Sequence, residues 1–104
     1  MAGDPLVLLR RRVLEKDFQA AVLGDARLLG WLCIHQFDSR RSTPGFPDIL
    51  CLRGTRLVVA ELKSAAGKVT VAQQTWLEAF QTAGAETHVL RPEQREWFRE
   101  AVLR

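Results

Sequence analysis

Two apolar runs that flank Gly54-Thr55 constrain the fold of this chain more than any other feature. Each run carries an acidic residue at the end far from the turn, Asp48 before the first and Glu61 after the second. Glycine at the first position of a two-residue loop is typical of a β-hairpin. If Arg53 pairs with Arg56 next to the loop, the register that follows places Asp48 opposite Glu61.

This register sets two like charges against each other. Directly opposed side chains in an antiparallel pair lie about 4.5–5.5 Å apart at Cβ, where like charges are destabilising. Lys63 is two residues beyond Glu61, so it emerges on the same face of the strand. The three charges at the end of an apolar hairpin predict a divalent cation between Asp48 and Glu61. Carboxylates are hard oxygen ligands, which favour Mg²⁺ or Mn²⁺ over zinc.

The bulk composition is that of one globular domain. The chain has 104 residues, 47% hydrophobic and 26% charged, and we assign residues 1–104 to a single domain with residues 1–9 as a loose leader. The formal net charge of +3 permits a nucleic-acid partner without demonstrating one. We expect no membrane span and no signal peptide. Cys33 and Cys51 lie in apolar runs without metal-ligand spacing, which predicts reduced core residues of a cytosolic protein.

Hydrophobic periodicity predicts an α/β fold with the order α-β-β-β-α-β-α. The predicted elements are, in order, a helix from about Val7 or Arg11 to Leu29, a strand at 31–37, the two hairpin strands, a helix from 71 to about 83, a strand at 86–90 and a helix at 92–103. A strand that follows the second helix most simply rejoins the same sheet by a crossover. We therefore predict a mixed β-sheet flanked by helices.

Two polar residues occupy inward-facing helix positions, and each has an ordinary explanation beside a functional one. Glu15 shares the apolar stripe of the first helix with Phe18; it either complements the helix dipole or an arginine, or it approaches the hairpin acids. Gln73 follows Thr70 at the spacing of a capping box, which explains it without any function. Its place three residues before Trp76, on the buried side of that helix, leaves the functional reading open.

The polar loop that precedes the hairpin supplies candidate DNA contacts. Arg40, Arg41 and Ser42 suit phosphate binding, and a solvated loop is the alternative explanation. Lys68, in the small-residue and basic linker after the hairpin, is a further candidate. His35, in the first predicted strand, is expected to be a packed, hydrogen-bonded residue rather than a catalytic one.

These residues carry a resemblance to a known family. Pro47-Asp48 followed by Glu61-Leu62-Lys63 looks like the PD-(D/E)xK nuclease signature. The larger pattern adds Asp38 to Ser42, Pro44 to Phe46, Gln73 with Trp76-Leu77, Gly84, and Arg91-Pro92. It resembles the VRR-NUC family (virus-type replication-repair nucleases) in its compact stand-alone form, which is found in phages and bacteria. The resemblance covers roughly Glu15 to Leu103.

The resemblance implies a restriction-endonuclease-like fold and metal-dependent phosphodiester hydrolysis by a single nuclease domain. The positions that match the family's site are Glu15, Asp48, Glu61, Lys63 and Gln73. Asp48 and Glu61 match the metal-binding acids and Lys63 the catalytic lysine. Glu15 would hold the metal directly or through water, Gln73 would support the site, and the backbone carbonyl of Leu62 would be a further ligand.

The resemblance also implies partners and a place of action. Small relatives act as homodimers on branched DNA, as Holliday-junction resolvases do. We therefore expect an Mg²⁺- or Mn²⁺-dependent, structure-specific DNA endonuclease in the cytoplasm of a bacterium, or of a bacterial host if the chain is phage-encoded. We expect no small-molecule cofactor beyond the metal. The alternative is a module of the same fold that binds branched DNA without cutting it.

Overall fold

The structure is a computed structural model that describes residues 4–36 and 43–104. Its first element, α1 (Pro5–Leu28), begins at a proline, and the carboxylate of Asp4 accepts a hydrogen bond from the backbone N–H of Leu6 at 3.0 Å. Because this cap and a proline at the first turn favour helix initiation, α1 starts earlier than the predicted Val7 or Arg11 and includes residues 5–9. Gly30, at φ 88°, ends the helix in a conformation that favours glycine.

Four strands form a mixed sheet. They are β1 (Leu32–His35), β2 (Ile49–Arg53), β3 (Arg56–Leu62) and β4 (Glu86–Leu90), and they lie side by side in chain order. β1, β2 and β3 are antiparallel, whereas α2 (Val71–Thr82) returns the chain so that β4 runs parallel to β3. Arg53 pairs with Arg56, which confirms the predicted hairpin register and the mixed sheet.

The last helical segment differs from the single helix that periodicity predicts. It consists of a 3₁₀ turn at Pro92–Gln94, α3 (Arg95–Trp97) and a π-helical turn at Phe98–Leu103. The carbonyl oxygens at its end accept hydrogen bonds from side chains of the hairpin and of the residue before β1: Arg56 donates to Val102, and both Arg53 and Trp31 donate to Leu103. These bonds fasten the end of the chain to the turn side of the hairpin.

Helices cover the two faces of the sheet unequally. α1 and the last helical segment pack on one face and form the main core with alternate residues of the strands; its buried members include Val22, Ala26, Ile49, Cys51, Val58, Ala60, Leu90, Phe98 and Leu103. α2 packs against β3 and β4. On this second face, Leu32, Ile34 and Leu52 of β1 and β2 remain 76%, 64% and 45% exposed. Among the described residues, no helix is long and apolar enough to cross a membrane.

Candidate active site

The loop that leads into β2 is packed directly against α2. Gly45 has φ 80°, and a Cβ atom added there would lie 2.4 Å from the backbone carbon of Ala72, so only glycine permits this approach. The Phe46 ring meets Trp76 and Phe80 edge-on, with ring centroids 5.2 and 6.0 Å apart. The Gly-Phe-Pro segment of the sequence pattern therefore fixes the start of β2 relative to α2.

Gln36 holds the same loop from the opposite side. Its side-chain Nε2 donates to the carbonyl oxygens of Phe46 (2.6 Å) and Pro47 (3.1 Å), and its backbone N–H donates to the carbonyl of Asp48 (3.1 Å). These three bonds fix Asp48 directly before the first residue of β2. Sequence reasoning missed Gln36, because a single glutamine after an apolar strand carries no pattern; its polar side chain at the strand end was the available signal.

Asp48 and Glu61 lie side by side at the end of the hairpin. A carboxylate oxygen of Asp48 accepts from the backbone N–H of Leu62 at 2.8 Å. Glu61 is 3% exposed, and its Oε1 accepts from Nε2 of Gln73 at 2.9 Å. The other oxygen of Glu61, Oε2, is buried without a hydrogen-bond partner in the described part of the chain. A buried carboxylate with an unsatisfied oxygen is costly unless something binds it.

The electrostatics of the pair also disfavour an ionised Glu61 carboxylate. Burial, and after it the negative charge of Asp48, raise the pKa of Glu61 from 4.5 to about 8. The ammonium of Lys63 lies 3.8 Å from Glu61 Oε1 and opposes this shift only in part. The two acids therefore repel each other as the hairpin register predicts, and the single positive charge of Lys63 does not neutralise both of them.

Gln73 performs both roles that its sequence position suggested. It completes the capping box of α2, with its side-chain oxygen accepting from Thr70 N–H at 2.9 Å and its own N–H donating to the Thr70 hydroxyl at 3.1 Å. Its amide nitrogen is then left to donate to Glu61. The two explanations are compatible because a glutamine side chain has both an acceptor and a donor end.

A cleft of about 700 Å³ opens beside the pair, between α1 and the turn that follows β3. Asp48, Lys63 and Glu15 all line it, whereas the buried Glu61 does not line it and lies 3.8 Å from the Lys63 ammonium. The turn is fixed by Arg91, which donates to the carbonyl oxygens of Ser64 and Gly67, both at 2.7 Å. Arg91 belongs to the sequence pattern, but its role as a brace was not foreseen.

The remaining predicted residues are placed as follows. Glu15 is exposed on the cleft wall, and among residues 4–36 and 43–104 no three His, Cys, Asp or Glu side chains are close enough to hold a metal ion. Glu15 therefore stands apart from the carboxylate pair. Lys68 is exposed and does not line the cleft. Arg40, Arg41 and Ser42 lie outside the described residues, so their assignment to DNA binding stays a prediction.

The pair fits a divalent cation. Two adjacent carboxylates, one with a buried unpaired oxygen, form an oxygen-rich and negatively charged donor set of the kind that Mg²⁺ and Mn²⁺ prefer. Whether the Leu62 carbonyl and Glu15 complete this set is a prediction from the resemblance.

Comparison with solved structures supports the family resemblance. The fold is similar to that of a solved "VRR_NUC domain", with a TM-score of 0.69 and 25% sequence identity, over 85% of this chain and 96% of that one. A scan against protein-family models found no match, and neither did a search of curated proteins. The structural match supports the resemblance of this chain to the VRR-NUC family. It also confirms the predicted nuclease-type, restriction-endonuclease-like fold, in which a four-stranded mixed sheet is flanked by helices.

Proposed function

We propose that this chain is an Mg²⁺- or Mn²⁺-dependent endonuclease that hydrolyses phosphodiester bonds in branched DNA, four-way junctions included. The observation that carries the proposal is the buried Glu61 carboxylate beside Asp48, with Oε2 unpaired and the Lys63 ammonium close by. A purely structural acid would have both carboxylate oxygens paired or would be exposed, whereas strongly perturbed acids next to a cleft are typical of functional sites.

Asp48, Glu61 and Lys63 would have different roles in the reaction. Asp48 is oriented by the Leu62 N–H and Glu61 by Gln73, so both carboxylates are held in place before a ligand arrives. Asp48 and Glu61 would hold a divalent cation, which would screen the charge of the phosphodiester and lower the pKa of a water. Lys63 lines the cleft next to the pair, where its ammonium donates hydrogen bonds to an attacking water or to the phosphate.

The proposal includes a homodimer. β1 is an edge strand of the sheet, and Leu32 and Ile34 on it form an exposed apolar patch with Leu52. An uncovered edge strand that carries apolar side chains is a template for pairing with another chain. A two-fold axis next to β1 that packs this face of the sheet against its own copy would cover the patch, and each protomer would bring one cleft to a branched substrate.

The direct test is cleavage of labelled DNA. Purified protein with Mn²⁺ is incubated with four-way, flap, splayed and linear substrates. We expect the branched forms to be cut, and we expect Asp48→Asn and Lys63→Ala to abolish cutting. Asp17→Asn is the matched control, because Asp17 is an exposed acid on α1 outside the cleft. Cleavage that survives both site variants would refute the assignment of the site.

A second candidate is a module that binds branched DNA without cutting it. The separation of Glu15 from the carboxylate pair favours this reading, because the described residues bring two acids together and not three, and a smaller set of carboxylates holds a metal less firmly. Gel shifts with branched DNA, in the absence of any cleavage with Mg²⁺, Mn²⁺ or Co²⁺, would establish it in place of the nuclease.

A further inference from the structure

The cleft has an apolar part that the hydrolysis of a phosphodiester does not use. Its polar lining residues are Asp48, Glu15, Lys63, Arg10, Gln19 and Ser64. The apolar part is formed by Val7, Leu14 and Phe18 of α1, together with Leu62, Ala65 and Ala66. A phosphate and a metal need oxygen ligands and cations, so this surface must serve another part of the substrate.

Both walls of the apolar part are held in place. The turn with Ala65 and Ala66 is braced by Arg91 through two short bonds to main-chain carbonyls. Opposite it, Phe18 packs partly against the main core, so its ring is not free to collapse into the space. Leu14 remains 61% exposed. A preformed concave surface that leaves large apolar side chains in contact with water is typical of a ligand site.

The size and position of the surface suit a nucleobase. A volume of about 700 Å³ lies within the range of roughly 300–1,000 Å³ found for small-molecule sites, which includes a nucleotide. A base is joined to its phosphate through one sugar, so a base next to a phosphate at Asp48 is within reach of the apolar residues that line the same cleft. A base inside an intact duplex is stacked and paired, and it presents only its edges.

We infer that the apolar part of the cleft binds an unpaired nucleobase next to the phosphate that is cut. The inference rests on the proposed nuclease function and gives it a physical source of structure specificity. An unpaired base at a flap or splayed branch enters the cleft freely, whereas a paired base, such as one at the centre of a four-way junction, must first be unstacked and unpaired, a cost that is smallest for mismatched or single-stranded bases. Phe18 offers an aromatic edge or face for the base.

The first experiment changes the DNA and leaves the protein intact. A series of branched substrates is prepared, each with one abasic residue at a different position around the cut. The kcat/KM of each substrate is measured with Mn²⁺. At one position next to the cut phosphate we expect a loss of about 5- to 150-fold, the range that corresponds to losing one base–aromatic contact. Equal cleavage of all abasic substrates would overturn the inference and leave the nuclease intact. If no substrate is cut at all, the proposed function falls, and the inference with it.

The second experiment changes the protein and measures binding without cleavage. Affinity for the intact and the abasic branched DNA is measured by fluorescence anisotropy without divalent cation. Leu14→Ser should weaken binding of the intact DNA and shrink the difference between the two substrates. Leu9→Ser is the matched control, because Leu9 lies on the same helix, is 60% exposed and does not line the cleft. Equal effects of the two variants would overturn the inference, because they would indicate a general effect of α1.

A linear duplex offers a third check. We expect a single mismatch at the position next to the cut to make a linear duplex a substrate, because the free energy needed to unstack a mismatched base is lower than for a paired one. A mismatch placed one helical turn away is the control. If both mismatched duplexes resist cleavage while branched DNA is cut, the protein reads the overall shape of the branch, and base binding in the cleft is refuted.

Discussion

Removing the charge of Glu61 should stabilise the metal-free protein. The pKa of this carboxyl group is raised from 4.5 to about 8, first by burial and then by the charge of Asp48. The folded state therefore binds more protons than the unfolded state between these two values, and stability falls as pH rises through this window. Glu61→Gln removes the titrating group and keeps an oxygen that accepts from Gln73.

The expected magnitude follows from the shift. At pH 7 the unfolded carboxyl is ionised and the folded one is still mostly protonated, so about 2.5 pKa units at 1.36 kcal/mol each oppose folding, or roughly 3 kcal/mol. Glu61 is 3% exposed, so screening by water is small. The new amide loses part of this gain to its own burial. We expect a net stabilisation of about 2 kcal/mol, or roughly 10 °C in Tm for a domain of this size.

The assay is thermal unfolding of chelator-treated protein from pH 5 to pH 8.5. The Tm of the wild type should fall across this range, whereas that of Glu61→Gln should change less and exceed it at pH 8. Addition of Mn²⁺ at pH 8 should raise the Tm of the wild type and not of the variant, because the cation binds the ionised pair. The exposed Glu96→Gln is the control. A variant less stable than the wild type at pH 8 without metal would refute the electrostatic reasoning.

Three further predictions test the contacts that hold the loop before β2 and the proposed dimer. Gln36→Leu leaves the Phe46 and Pro47 carbonyls without its side-chain donor; we expect a loss of about 1–3 kcal/mol in urea unfolding, together with reduced cleavage. Gly45→Ala should lower the free energy of unfolding by at least about 3 kcal/mol, because backbone strain at φ 80° adds to the clash with α2. Gly24→Ala is the control, because it lies in helix α1 with open space around it and should raise the free energy of unfolding by about 0.5–1 kcal/mol. Thermal melts of the two variants test this pair of predictions. Ile34→Lys should convert the proposed dimer to a folded monomer in sedimentation, with a Tm that no longer depends on protein concentration, and a dimer that persists would exclude β1 as the interface.

The hairpin was predictable because its signal is local and repeated. Glycine in the turn and apolar runs on both sides define which residues pair, and the Arg53–Arg56 register is observed as expected. The opposition of Asp48 and Glu61 follows from that register alone. The parallel addition of β4 was predictable for a related reason, because a strand–helix–strand unit has few ways to return to a sheet.

The supports of the site were not predictable because their bonds end on main-chain oxygens. Gln36 bonds to carbonyls ten and eleven residues away, and Arg91 to carbonyls more than twenty residues away. A carbonyl is present at every residue, so such a contact leaves no pattern in the partner's sequence. The same reason applies to the last helical segment, whose end is held through its own carbonyls by Arg53 and Arg56.

Gln73 shows why local structure and site must be understood together. A capping box alone is satisfied by the acceptor end of a glutamine or a glutamate at this position. Glutamate would bring a third negative charge beside Asp48 and Glu61, whereas glutamine caps the helix and also donates to Glu61. The choice of amide over acid is therefore explained by the carboxylate pair and not by the helix. Gln73→Glu should preserve the cap and raise the pKa of the Glu61 carboxyl further, so that cleavage would require higher pH or more metal, and an unchanged pH–rate profile would show that the amide serves the helix alone.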